Sequence, residues 1–179
     1  MFTPKYDWKG NKKVNMNHEE LIRKVQKLED LEEIKKLHRE YIACIDKLET
    51  FKIPEMFIED CTAEIQDSGE LKGKKAIEDL YLRGFLSQRK TRTDGHLCGE
   101  PIISIDGDKA KGHWTVYIFF SEPSVQWTQG VNECEYVKEN GKWKFKKLKF
   151  VRTVASTPEL LARAPEGKKK NLSLLKTTD

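Results

Sequence analysis

No stretch of this 179-residue chain approaches the apolar run that a membrane-spanning helix requires, and its first residues, MFTPKYDWKGNKK, lack an apolar core of signal-peptide length. A cytoplasmic protein without membrane contact is therefore expected. Cysteine is sparse. Cys44, Cys61, Cys98 and Cys134 lie far apart, with no CxxC pair and no histidine at a metal-ligand spacing, so free buried thiols and no metal site are expected. An excess of one charge is also missing. Lysine and arginine number 33 against 29 aspartates and glutamates, a net charge of +4, with both signs interspersed as on a solvated surface rather than a nucleic-acid footprint. Lys144, Lys146, Lys147 and Lys149, and Lys168 to Lys170 in the tail, are the local exceptions. There is no nucleotide-binding glycine loop, Gly-x-Ser-x-Gly elbow or zinc-binding helix motif.

The most organised stretch is DLEEIKKLHREYIACIDKLE, Asp30 to Glu49. Leu31, Ile34, Leu37, Tyr41, Ile45 and Leu48 recur every three or four residues and form one stripe along a helix. Asp30 with Glu33 has the form of a capping box, while Asn17 with Glu20 opens an earlier helix that can run into this one. By the same spacing His18 and His38 fall on charged, solvated faces. Residues 1–17 form an N-terminal arm, 18–154 one domain, and 155–179 an extension with a short helix at PELLARA stopped by Pro165.

Within the domain the period changes along the chain. Ala63, Ile65 and Asp67 alternate with Glu64, Gln66 and Ser68 as a strand, and helical spacing returns from Gly73 to Leu86. His96–Ile105 and Ala110–Phe120 then read as strands joined at Asp106-Gly107-Asp108. Trp127–Lys138 and Trp143–Val154 are joined by the hairpin signal Asn140-Gly141. This order predicts an α+β fold, a cone-shaped curved antiparallel sheet wrapped around the long N-terminal helix.

Four polar residues in apolar surroundings are candidates for chemistry: Tyr41, Asp46, His96 and Arg152. Each also has a bland role open to it: a core aromatic, a solvated acid, a structural histidine and a surface arginine. Tyr41 and Asp46 lie about 140° apart on an ideal helix, so they reach one cleft only if Asp46 sits near the helix end. Alternation puts Leu148, Phe150 and Arg152 on one strand face. Pattern alone leaves open whether His113 or Trp114 faces inward.

These residues carry a resemblance. Tyr41-Ile42-Ala43-Cys44-Ile45-Asp46, His96 ahead of the Ile105-Asp106 turn, Gly112-His113-Trp114, Tyr136-Val137-Lys138 with Trp143, and Phe150-Val151-Arg152 resemble the SnoaL-like dehydratases of the nuclear-transport-factor-2-like superfamily. Within that superfamily the chain is most similar to the bile acid 7α-dehydratases and more distantly to the scytalone dehydratases. The resemblance spans about Leu28 to Arg152 and implies Tyr41, Asp46, His96 and Arg152 as the catalytic set. The second catalytic histidine of the scytalone enzymes is matched here by an aromatic residue, so a scytalone-type site is not expected.

The resemblance implies a lyase that removes water from a bulky apolar hydroxy-carbonyl compound, steroid-like or polyketide-like, with no cofactor and no nucleic-acid partner. Ile65, Trp114, Val116, Phe120 and Phe150 are the expected substrate contacts. A homo-oligomer, a trimer by analogy, is implied as well. The competing expectations are a non-catalytic apolar-ligand carrier and a ketosteroid-type isomerase.

Overall fold

A computed structural model describes residues 17–65, 68–83, 94–121 and 125–157. Residues 1–16 of the N-terminal arm and the PELLARA segment of the C-terminal extension lie outside these residues, as does the last part of the expected Gly73–Leu86 helix. The chain opens on one continuous helix, α1 (His18–Asp46), with the Asn17 side chain accepting from the Glu20 amide at its start. The two helices read from the sequence are thus one. Asp30 caps nothing and sits mid-helix, where it accepts from Lys138 Nζ at 2.6 Å and Trp143 Nε1 at 2.9 Å. This pair clamps the helix to the sheet beside the Asn140-Gly141 turn.

The buried stripe of α1 is Asp30, Ile34, His38, Tyr41 and Ile45, with Ile42 and Cys44 beside it. Leu31 and Leu37 are only half-buried, and His38, expected in solvent, is fully enclosed. The helical period was right, but its centre lies on two polar residues whose hydrogen bonds make burial affordable. Each fully buried aliphatic side chain on the stripe contributes roughly 1.5–3 kcal/mol.

After α1 a 3-10 turn (Thr50–Met56) carries Pro54 and leads into β1 (Phe57–Glu64), which starts earlier than the alternation at Ala63 implied. Then follow β2 (Glu70–Lys72), the short helix α2 (Lys74–Glu78) and a π turn (Asp79–Arg83). The expected strand His96–Ile105 is two strands, β3 (Asp94–Cys98) and β4 (Ile102–Asp106), separated at Gly99–Pro101. Both pair with β5 (Lys109–Phe120), β3 against its end and β4 against its start. β6 (Gln126–Glu139) and β7 (Lys142–Ala155) complete the sheet.

The order is β2-β1-β7-β6-β5-β3, with β4 also on β5. All pairings are antiparallel except β1 with β7, which is parallel, so the sheet is mixed rather than wholly antiparallel. Asn140 and Gly141 have φ of 52° and 75°, as a two-residue type I′ hairpin needs. Against β6, strand β7 carries an extra residue at Lys146 and another at Thr153. Such bulges bend a strand, and here they help curve the sheet around α1. The concave face holds Trp114, Val116 and Ile118 of β5, Asn132 and Tyr136 of β6, and Phe145, Leu148, Phe150 and Arg152 of β7. His113 points to the exposed side, which settles the facing that alternation left open. The four cysteines are free. Among the described residues no helix is long and apolar enough to cross a membrane.

Candidate functional site

The end of α1 sets the first group. Glu49 N–H bonds back to Cys44 O at 2.8 Å and Leu48 N–H to Ile45 O at 3.1 Å, the paired bonds of a Schellman stop. Its left-handed position, normally glycine, is Leu48 at φ 60°. A branched side chain there costs roughly 1–2 kcal/mol. The helix therefore ends at Asp46, and the carboxylate projects from the last turn toward β3.

Across that gap His96 presents Nδ1 to Asp46 Oδ1 at 2.7 Å, and the His96 backbone N–H approaches Asp46 Oδ2 at 3.4 Å. Only 7% of the His96 side chain and 17% of the Asp46 side chain are exposed. A carboxylate can only accept, so Nδ1 carries a hydrogen, and in the neutral form of the ring the lone pair lies on Nε2. His96 lines a partly open cavity between α1 and the concave sheet; about 480 Å³ of non-atom space lies in and around it, the solvent at its mouth included.

Ile42 and Ile45 of α1, Ile65 after β1, Val116 and Ile118 of β5 and Phe150 of β7 make the walls apolar. The polar groups on them are Tyr41, Tyr81, Asp94, His96 and Asn132. Tyr41 Oη lies 2.8 Å from Tyr81 Oη, and burial pushes both phenols above their ordinary pKa, so both stay protonated.

Behind the cavity, His38 stacks on Trp114 with ring centroids 4.0 Å apart and planes 5° from parallel. Burial pushes its pKa down to about 3, so the ring is neutral and has one N–H to give. Asn132 Nδ2 reaches His38 Nε2 at 3.3 Å, and an amide nitrogen can only donate. The ring hydrogen is therefore on Nδ1, 3.3 Å from the Tyr136 oxygen, which also accepts from Trp114 Nε1 at 2.9 Å. Nδ2 gives one hydrogen to His38, so Asn132 keeps its second N–H and its carbonyl oxygen.

Of the four expected catalytic residues, the structure brings Tyr41 and His96 to the cavity wall and places Asp46 behind His96. Arg152 is 7% exposed on the same concave face, opposite Gly130 and one step beyond Phe150, and is not part of the wall. Of the expected substrate contacts, Ile65, Val116 and Phe150 line the cavity. Trp114 lies behind it against His38, and the half-buried Phe120 lies beyond Ile118 at the end of β5. Tyr81, Asp94 and Asn132 were missed. For Tyr81 a signal existed: it follows Ile77 by four residues, and these two are the buried face of that segment. Among the described residues no group of three or more metal-capable side chains converges.

The fold is shared with solved proteins of low sequence identity. A candidate scytalone dehydratase from Novosphingobium aromaticivorans DSM 12444 superposes with a TM-score of 0.64 at 19% identity, over 73% of this chain and 88% of that one. The hexachlorocyclohexane dehydrochlorinase LinA-type3 of Novosphingobium barchaimii LL02 gives 0.64 at 19% identity, over 74% and 92%. An NTF2-like protein with a cystatin-like fold from Novosphingobium aromaticivorans gives 0.65 at 18%, over 82% and 96%. No curated protein sequence matches the chain significantly. The family model for the SnoaL-like domain, however, matches residues 26–149, a span that holds Tyr41, Asp46 and His96, and the chain belongs to that family.

Proposed function

We propose that this protein is a cofactor-independent dehydratase, a carbon–oxygen lyase that removes water from a bulky apolar hydroxy-carbonyl compound of steroid, bile-acid or polyketide type. The observation that carries the proposal is the His96–Asp46 pair, 2.7 Å apart, with the ring in the wall of an apolar cavity. The names of two structural neighbours, one for loss of water and one for loss of hydrogen chloride, fit an elimination.

In this reading His96 Nε2 takes a proton from a carbon acidified by a conjugated carbonyl, and the C–H electron pair moves into an enolate. Tyr41 donates to the carbonyl oxygen as negative charge gathers there. Arg152, buried beyond Phe150, adds a fixed positive field. The enolate then collapses, the C–O bond breaks, and the departing hydroxide takes the proton back from His96 and leaves as water. Neutral histidine and a new C=C bond remain, so atoms and charge balance. Asp46 holds the tautomer and stabilises the imidazolium in between. Asn132 offers its carbonyl oxygen to a substrate hydroxyl, and Ile65, Val116 and Phe150 contact the apolar body, with Trp114 and Phe120 supporting them.

Mass spectrometry after incubation with a panel of hydroxy-steroids and aromatic hydroxy-ketones tests the reading. Loss of one water in the presence of protein is expected. Retention of a compound at unchanged mass would make the protein a carrier, and unchanged mass with altered ultraviolet absorbance would make it an isomerase.

A further inference from the structure

Tyr81 lies on the π turn Asp79–Arg83, where one extra residue per turn displaces the side chains from the register of an ordinary helix. Its ring is 0% exposed, lies edge-on to Tyr41 at 6.4 Å between centroids, and lines the same cavity. The two hydroxyls meet at 2.8 Å. A hydroxyl has one hydrogen to give and two lone pairs to receive with, so one phenol of the pair must donate to the other.

A carbonyl oxygen in the cavity can only accept. If Tyr41 serves it, Tyr41 has spent its hydrogen, and the only arrangement in which both phenols donate once is Tyr81 to Tyr41 to carbonyl. We infer that Tyr81 is a positioning residue: its hydroxyl donates to Tyr41 Oη, turning the Tyr41 hydrogen into the cavity toward the oxygen that becomes the oxyanion. This rests on the dehydratase reading and extends it. Donation from Tyr81 also polarises the Tyr41 O–H, since hydrogen bonds in series strengthen one another, and the gain is largest when the oxygen beyond is charged. The effect belongs to the transition state, so it appears in kcat rather than KM.

The test uses Tyr81→Phe, Tyr41→Phe and the double variant in the full chain, with kcat and KM measured on a compound the wild type dehydrates. Phenylalanine keeps each ring and its packing. Tyr81→Phe is expected to lower kcat about 10-fold at unchanged KM, and Tyr41→Phe about 100-fold or more. In the Tyr41→Phe background, Tyr81→Phe should have no further effect, because nothing remains for it to orient. An undiminished kcat in Tyr81→Phe, an equal loss in both backgrounds, or a loss larger than that of Tyr41→Phe would overturn the assignment; the last would reverse the order of the two phenols.

A second readout does not depend on turnover. In protein labelled at the tyrosine Cζ carbons, the Tyr41 resonance should shift in Tyr81→Phe relative to wild type, and an unmoved resonance would overturn the hydrogen bond itself. A wild type that dehydrates nothing would defeat the dehydratase reading, and with it the catalytic role of Tyr81, while a shifted resonance would still uphold the pairing.

Discussion

Lowering the pH below neutrality should destabilise this protein through a buried residue, His38. Its ring is fully buried against Trp114, and burial pushes its pKa from the ordinary 6.5 down to about 3. The folded state therefore holds the ring neutral while the unfolded chain protonates it. Between about pH 6.5 and 3 the unfolded state binds more protons, so stability that is complete above 6.5 drains away as the pH falls. The slope approaches 1.4 kcal/mol per pH unit, which makes the loss about 2 to 3 kcal/mol by pH 4.5. That is a large share of the roughly 5–15 kcal/mol that holds a domain together.

Burial pushes the Asp30 carboxyl up, but hydrogen bonds from Lys138 and Trp143 outweigh it and leave the pKa below 3.8, so this pair fails only in stronger acid. Urea unfolding followed by tryptophan fluorescence at pH 7.5, 6.5, 5.5 and 4.5 reads the slope, and His38→Gln removes the titrating group. The slope over this window should flatten in His38→Gln, whatever that variant's stability at pH 7.5. Equal slopes in the two proteins would refute a neutral His38 in the fold.

Three further outcomes follow from the packing. Asp30→Ala leaves Lys138 and the Trp143 indole without their shared acceptor and should cost about 3 to 5 kcal/mol in urea unfolding at pH 7.5. Gly130→Ala puts a methyl group into the Phe150 ring and 2.8 Å from the Val151 carbonyl oxygen, so about 1 to 3 kcal/mol should be lost and the cavity wall displaced, lowering ligand affinity. On the convex face Leu97, Phe119, Trp127 and Val154 are 38–59% exposed, the surface on which we propose a homo-oligomer, by analogy a trimer. Sedimentation should show a species larger than one chain, and Phe119→Lys should return it to a monomer.

The elements that could be read from the sequence are those with a local cause. Asn140-Gly141 and Asp106-Gly107-Asp108 mark hairpins because turns need particular backbone angles, and alternation along β5, β6 and β7 follows from a sheet with one buried face. The α1 stripe was legible in period but displaced in phase. Asp30 and His38 count as polar in any pattern, and partners about a hundred residues away, Lys138 and Trp143 for one and Asn132 and Tyr136 for the other, help make their burial possible. The parallel pairing of β1 with β7 leaves no local trace either. At the site, the helix-end condition on Asp46 could be stated in advance and the spacing of Tyr81 from Ile77 was open to reading, whereas Asn132 depends on the curvature of the sheet.

The proposed chemistry is abstraction of a carbon-bound proton, at the wall of an apolar cavity, by a histidine that a carboxylate at the end of α1 holds in place. The most direct measurement is the dehydration rate of His96→Ala and Asp46→Asn, each shown by circular dichroism to be folded. In both, kcat/KM should fall by about 10² to 10⁴, with the double variant no slower than His96→Ala alone. A near wild-type rate in either folded variant would contradict this chemistry.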